Sequence, residues 1–220
     1  AQVACTRLEE SDGPQLIFDR SELWQYKEEQ GIWDILPMEL VRNVIGTFDG
    51  EKILMGVDRN GEPKTMPLKV GHRLCVNVAN RICDQRYHLG FFDTAKSGLT
   101  FSNCFVYAND EGIQTEAFSP SQRATARLDF QFTHNLEPKA FIRILASCFQ
   151  GDADCADKIR LIQQFVGECL LGSATRMQKG MIFLGSGANG KSTVQKIVAE
   201  LFSHQGSSKI ISAIAPQDME

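Results

Sequence analysis

The chain has 220 residues, 43% of them hydrophobic and 23% charged, with a net charge of −4. That is the composition of one or two globular domains with a buried core, and the acidic balance excludes a strongly basic, self-sufficient nucleic-acid binder. The charge is uneven: six cations face thirteen carboxylates over residues 1–62, ten face seven over 63–150, and seven face seven over 151–220. No apolar run preceded by basic residues opens the sequence, and none is long enough to span a membrane, so a cytoplasmic protein is expected. The sequence begins at Ala1 rather than Met and stops soon after its most informative motif, which reads as a piece of a longer protein. The seven cysteines (Cys5, Cys75, Cys83, Cys104, Cys148, Cys155 and Cys169) are odd in number and lack zinc-knuckle spacing. They read as reduced thiols, most of them small core residues. The four histidines are scattered without ligand spacing, so no metal cluster is expected.

Residues 16–18 (LIF), 22–26 (ELWQY) and 31–36 (GIWDIL) are rich in aromatic and β-branched residues and predict short strands, the last two joined through KEEQG. Trp24, Tyr26 and Trp33 are expected to pack across those strands rather than stack on bases, because the surrounding block is acidic. Pro37 suits the first turn of a helix whose apolar face is Leu40, Val41, Val44, Ile45 and Phe48, with Gly50 ending it. Residues 56–63 (GVDRNGEP) form a turn-rich break. A second helix is predicted from Pro67 to Arg86. Its apolar stripe is Leu68, Gly71, Cys75, Val78 and Ile82, and its other side carries Lys69, Arg73, Arg81 and Arg86. That basic side is either a solvated face or a contact to a nucleic-acid backbone.

Residues 98–120 predict a hairpin with strands over 99–107 and 113–118, joined through NDEG. Two helices followed by a hairpin match the order of a winged-helix plan. A third helix opens at EPKAF, with Phe141, Ile144, Leu145, Cys148 and Phe149 at helical spacing. A fourth follows from Asp152 or Asp154 as cap to Gly172 as stop, with Ile159, Ile162, Phe165, Val166, Cys169 and Leu170 on its apolar face.

Residues 180–184 (GMIFL) suit a buried parallel strand. Gly185-Ser186-Gly187-Ala188-Asn189-Gly190-Lys191-Ser192 then fits the phosphate-loop pattern G-x-x-x-x-G-K-[ST]. Val194, Ile197, Val198, Leu201 and Phe202 follow on one helical face, giving the strand–loop–helix context the motif requires. A triphosphate needs many donors at close range. Glycines let the backbone curl without Cβ clashes, the N–H groups of 187–192 form an anion nest, and the helix dipole adds positive potential. Lys191 supplies a mobile cation for the β- and γ-phosphates, and the Ser192 hydroxyl can ligate Mg²⁺. KIISAIA (209–215) predicts another strand. Hydrolysis also needs an acidic residue at the end of a later strand and an arginine from a neighbour. After residue 200 the only carboxylates are Asp218 and Glu220, neither capping an apolar strand, so this piece alone is expected to hydrolyse ATP poorly.

LGSGANGKST resembles the phosphate loop of superfamily-three primase–helicases of phages, satellite phages and poxviruses, whose pattern is G-x-G-x-N-G-K-S. Upstream, WQYKEEQGIWDILP resembles the Trp-bearing hairpin that opens the region before their ATPase. GLTFSNCFVY, SPSQRATARLDFQF and PKAFIRIL resemble the hairpin, Ser-Pro turn and lead-in that follow, and IRLIQQFVGECLLG the helix before the first ATPase strand. The resemblance covers roughly residues 16–205. One departure is Asn103-Cys104, where the family often has Asn-Gly. The resemblance implies ATP and Mg²⁺ as cofactors, a hexameric ring in the full-length protein, and translocation on single-stranded DNA during replication of a mobile element such as a prophage. It implies a cradle of Gly185, Ser186, Gly187, Ala188, Asn189, Gly190, Lys191, Ser192 and Thr193, with Lys191 catalytic and Ser192 on the metal.

The expected organisation is an α+β accessory domain over 1–136, a helical lead-in over 137–172, and the start of an AAA+-like P-loop ATPase domain over 173–220, α/β in class. DNA contact by this piece is expected to be weak and indifferent to sequence. The competing readings are another P-loop NTPase such as a small-molecule kinase, and a non-catalytic assembly module.

Overall fold

A computed structural model describes residues 1–10, 15–57, 60–172, 178, 180–183 and 190–201. It is mixed α/β with small antiparallel sheets. The chain divides into two compact units, one comprising residues 1–28 and 33–94, the other residues 29–32 and 95–220.

The first unit opens with α1 (Gln2–Glu10), which the sequence did not announce. It buries Ala4, Cys5 and Leu8 and anchors itself through Arg7. That guanidinium lies 4.0 Å over the Phe48 ring and reaches the Thr47 hydroxyl and the Glu51 carboxylate. Strands β1 (Leu16–Asp19), β2 (Glu22–Lys27) and β3 (Ile32–Ile35) form one sheet in that order, close to the predicted bounds. Asp19 pairs with Glu22 across a two-residue turn in which both Arg20 and Ser21 have positive φ. That is the geometry of a type I′ hairpin, built here without Asn or Gly. Trp24, Tyr26 and Trp33 are buried with Phe91 and Phe92, so they pack rather than stack on bases.

Helix α2 (Met38–Gly46) starts after Pro37 and buries Val41 and Ile45, whereas Leu40, predicted on the apolar face, is exposed. The break predicted over 56–63 lies within a hairpin of β4 (Lys52–Val57) and β5 (Pro63–Pro67), and Pro67, the predicted start of the second helix, ends β5; the register shifts between Leu54 and Gly56. Nearly every residue in it is exposed, so no alternation marked it in the sequence. Helix α3 is correspondingly shorter than predicted, His72–Gln85. Gly71 is its N-cap rather than part of its stripe. Its buried side is Ala79 and Ile82, with Cys75 and Val78 half-buried against the same cluster of Leu16, Leu23, Val41 and Ile45.

The second unit holds a three-stranded sheet of β6 (Leu99–Thr100), β7 (Phe105–Asn109) and β8 (Gly112–Glu116). The single strand predicted over 99–107 is two strands. The chain reverses through residues 101–104, closed by Phe101 N–H donating to the Cys104 carbonyl. This hairpin lies in the second unit, helices α2 and α3 in the first. Ser119 and Gln122 form a reciprocal capping box around the Pro120–Gln122 turn. Then come α4 (Lys139–Cys148), α5 (Cys155–Leu170) and α6 (Lys191–Leu201). Asp154 occupies the N-cap position of α5 but makes no capping bond, and Gly172 follows the helix at φ +72° as the predicted stop. No disulfide joins the seven cysteines. Among the described residues no helix is long and apolar enough to cross a membrane.

Two buried polar groups of the first unit, Asp19 and Tyr26, bear on its stability. The Asp19 carboxylate, 3% exposed, accepts from the backbone N–H groups of Gly90 (3.1 Å) and Phe92 (3.3 Å), tying the β1–β2 turn to the short 3₁₀ turn Phe91–Thr94. Burial pushes its pKa up. The N–H donors of Phe92, Gly90 and Arg20 and the Arg20 guanidinium outweigh that and hold it below the usual value. A depressed folded-state pKa adds stability above the unfolded-state pKa, which is lost as pH falls through the folded one. Asp19→Ala should therefore cost about 1.5–3 kcal/mol at neutral pH, the worth of hydrogen bonds to a charged group. It should also flatten the acid limb of stability below about pH 4, read by urea unfolding across pH. An unchanged acid limb would refute the assignment. The Tyr26 hydroxyl is buried without a hydrogen-bond partner among the described residues, and burial, then Glu28, pushes its pKa up to about 12. Tyr26→Phe should be neutral or stabilising by about 1 kcal/mol in the same measurement, since it removes an unsatisfied group.

Candidate functional site

Of the nine predicted cradle residues, Gly185, Ser186, Gly187, Ala188 and Asn189 lie outside the described residues. So do Leu184, Phe202 and the strand predicted over 209–215. Gly190, Lys191, Ser192 and Thr193 are described, and the structure brings them together at the start of α6. Residues 180–183 are not a strand, because no partner among the described residues supplies ladder bonds. Their burial still alternates. Met181 and Phe183 pack on the α4–α5–α6 cluster, while Ile182 is 82% exposed, unlike the strand covered on both faces that the sequence predicts.

Gly190 has φ +80°, in the left-handed region that a side chain resists. A Cβ there would collide with the Cys148 sulfur at the end of α4. The glycine is thus required twice, by its backbone and by its neighbour. Its carbonyl accepts from Val194 N–H at 3.0 Å, the first helical bond of α6. The Ser192 and Thr193 N–H groups precede any intrahelical acceptor, and no acidic residue sits in that first turn. Both side chains are exposed.

The helix is set in place by Val194, 3% exposed, between Leu145 of α4 and Ile162 of α5. Phe141, Ile159 and Val198 extend this cluster. Lys191 lines a cavity of about 350 Å³ together with Phe149, Asp152, Lys158, Met181 and Phe183 among others. Lys158 is committed to Asp152 (2.6 Å) and Asp154 (2.8 Å). Its hydrogen bond to Asp152, then that to Asp154, raises its pKa, and the Lys158 bond in turn lowers that of Asp154. Its charge is therefore largely compensated within the wall.

The sequence pointed to Gly190 through Thr193 but not to Cys148, Asp152 or Lys158. Cys148 read as one more apolar position of α4, and only the packing of α4 on α6 places it against the loop. Among the described residues no group of three or more His, Cys, Asp or Glu is arranged to hold a metal ion. No protein-family model matches the chain, and neither does any curated protein.

The Gly190–Cys148 contact is measurable. Gly190→Ala should destabilise the second unit by the left-handed penalty of about 1–2 kcal/mol plus the collision. In a Cys148→Ala background only the backbone part should remain. A double-mutant cycle by chemical denaturation should give a coupling of roughly 0.5–3 kcal/mol. Strict additivity would show that the two residues do not meet.

Proposed function

We propose that this chain carries the nucleotide grip of an ATP-dependent DNA helicase of the primase–helicase type, with ATP and Mg²⁺ as its cofactors. The observation that carries the nucleotide reading is the turn at Gly190. A left-handed glycine leads directly into a helix whose first residues are Lys191, Ser192 and Thr193, free of carboxylates and bordering a cavity. This geometry fits phosphate: it presents N–H donors and the positive end of a helix dipole.

In this reading Gly185, Ser186, Gly187, Ala188, Asn189, Gly190 and Thr193 line the phosphates with backbone donors. Lys191 places its ammonium against the β- and γ-phosphates and offsets their charge, which is its catalytic role. Ser192 holds Mg²⁺ through its hydroxyl. Bound Mg²⁺ supplies charge neutralisation across the β- and γ-oxygens. The helicase assignment rests on the resemblance of the loop and of residues 16–205 to superfamily-three primase–helicases. It carries with it a hexameric ring in the full-length protein and translocation on single-stranded DNA.

Binding of a fluorescent ATP analogue to the purified chain tests the reading. Mg²⁺ should strengthen binding in the parent but not in Ser192→Ala. Lys191→Ala should weaken it roughly 10- to 150-fold, the worth of one charge-assisted hydrogen bond. Parent-like affinity in Lys191→Ala, or no binding by the parent, would sink the proposal.

A further inference from the structure

Helix α3 carries a second surface, unrelated to the nucleotide grip. From Pro63 to Cys83 the sequence has four cations, Lys64, Lys69, Arg73 and Arg81, and no carboxylate, in a chain of net charge −4. All four are exposed, and none forms an ion pair among the described residues.

The face differs from the one the sequence predicted. Arg86 caps α3 and is half-buried, and at about 100° per residue it falls on the side of Ile82, away from Arg73 and Arg81. In its place, Asn77 and Asn80 stand exposed within the same arc of about 100° as the two arginines. The predicted row of generic cations is a stripe of Arg73, Asn77, Asn80 and Arg81, with the exposed Asp84 in the same arc at its C-terminal end. Its opposite side is fixed by Ala79 and Ile82 in the core.

We propose that this stripe enters the major groove of duplex DNA and reads base edges, with Lys64 and Lys69 on the flanking phosphates. Charge complementarity selects a polyanion, and the residue types select its bases. Arginine pairs bidentately with guanine O6 and N7, and asparagine with adenine N6 and N7. Arg73 to Arg81 rises about 12 Å along the axis, the length of three to four base-pair steps. The stripe is held rigidly. Val70 N–H donates to the Asp49 carboxylate (2.7 Å), Gly50 N–H to the Leu68 carbonyl (2.8 Å) and Leu68 N–H to the Glu51 carbonyl (2.8 Å). These bonds lock the entrance of α3 and the base of the β4–β5 hairpin to the end of α2. Asp84, the one carboxylate on this side of α3, suits the amino group of cytosine.

Selection from a random duplex DNA library with the whole chain tests this. The parent should enrich a short motif. Asn77→Ala and Arg81→Ala, both surface changes, should each reduce preference for the selected duplex over a scrambled one by roughly 5- to 150-fold. Lys64→Ala and Lys69→Ala should weaken both duplexes alike, each lowering the salt slope by about 0.9. Lys191→Ala should change nothing here, which separates this proposal from the nucleotide site. The proposal is overturned by the absence of any enriched motif, by unchanged preference in Asn77→Ala and Arg81→Ala with circular dichroism showing them folded, or by tighter binding to the single strand or to RNA of the same sequence.

Discussion

The candidate nucleotide site depends on Val194. A phosphate loop works only if its backbone donors are aimed before the anion arrives, and ordering a glycine-rich segment costs about 1–2 kcal/mol per residue. Val194 sits one turn past Gly190 and is buried against Leu145 and Ile162, both nearly inaccessible. Fully burying such aliphatic side chains contributes about 1.5–3 kcal/mol each. The first turn of α6 is thereby fixed to α4 and α5, and with it the direction of the Ser192 and Thr193 N–H groups. Cys148 stands on the other side of Gly190, where an added Cβ would meet its sulfur.

Charge is managed differently at the two surfaces. In the cavity wall of the candidate nucleotide site, Lys158 is held by Asp152 in the turn before its helix and by Asp154 at the helix N-cap. That leaves the first turn of α6 without carboxylates while the wall around it stays close to neutral. A neutral wall with one motif lysine suits a ligand that brings its own counter-cation. On α3 the arrangement is reversed. The carboxylates nearest its entrance are already engaged, Glu51 with Arg7 and Asp49 with the Val70 amide.

Much of this was legible in the sequence. The three strands of the first sheet, helices α2, α4 and α5, and the start of α6 follow periodicity and punctuation, because each buries one face against a core. What was not legible buries little or depends on distant partners. Among the described residues helix α1 has Ala4, Cys5 and Leu8 inside, and Arg7 ties it to Thr47, Phe48 and Glu51, just beyond α2. The β4–β5 hairpin has almost no buried residue, so neither period applies. The break inside 99–107 hides in a run whose flanks, Leu99–Phe101 and Phe105–Tyr107, favour strands, and the turn through Ser102 and Asn103 lacks glycine. At the site, the motif named the loop residues, but no local signal marks Cys148 as their neighbour or pairs Lys158 with Asp152.

Net charge is a poor guide to what a surface can attract, and the first unit shows why. Exposed charges more than about 8 Å apart are largely screened at physiological ionic strength, so a ligand feels the local patch rather than the total. The acidic block of residues 1–62 spends part of its charge internally. Asp19 is buried under backbone N–H donors, Glu51 pairs with Arg7, and Asp49 receives an amide from the entrance of α3. What α3 shows to solvent on this side is instead two arginines and two asparagines against one carboxylate, Asp84, beside two lysines. Averaged over the chain, these cations vanish into a total of −4. Placed on one exposed face of a rigid helix, they make a surface that is basic where it would meet a phosphate backbone and hydrogen-bonding where it would meet the bases.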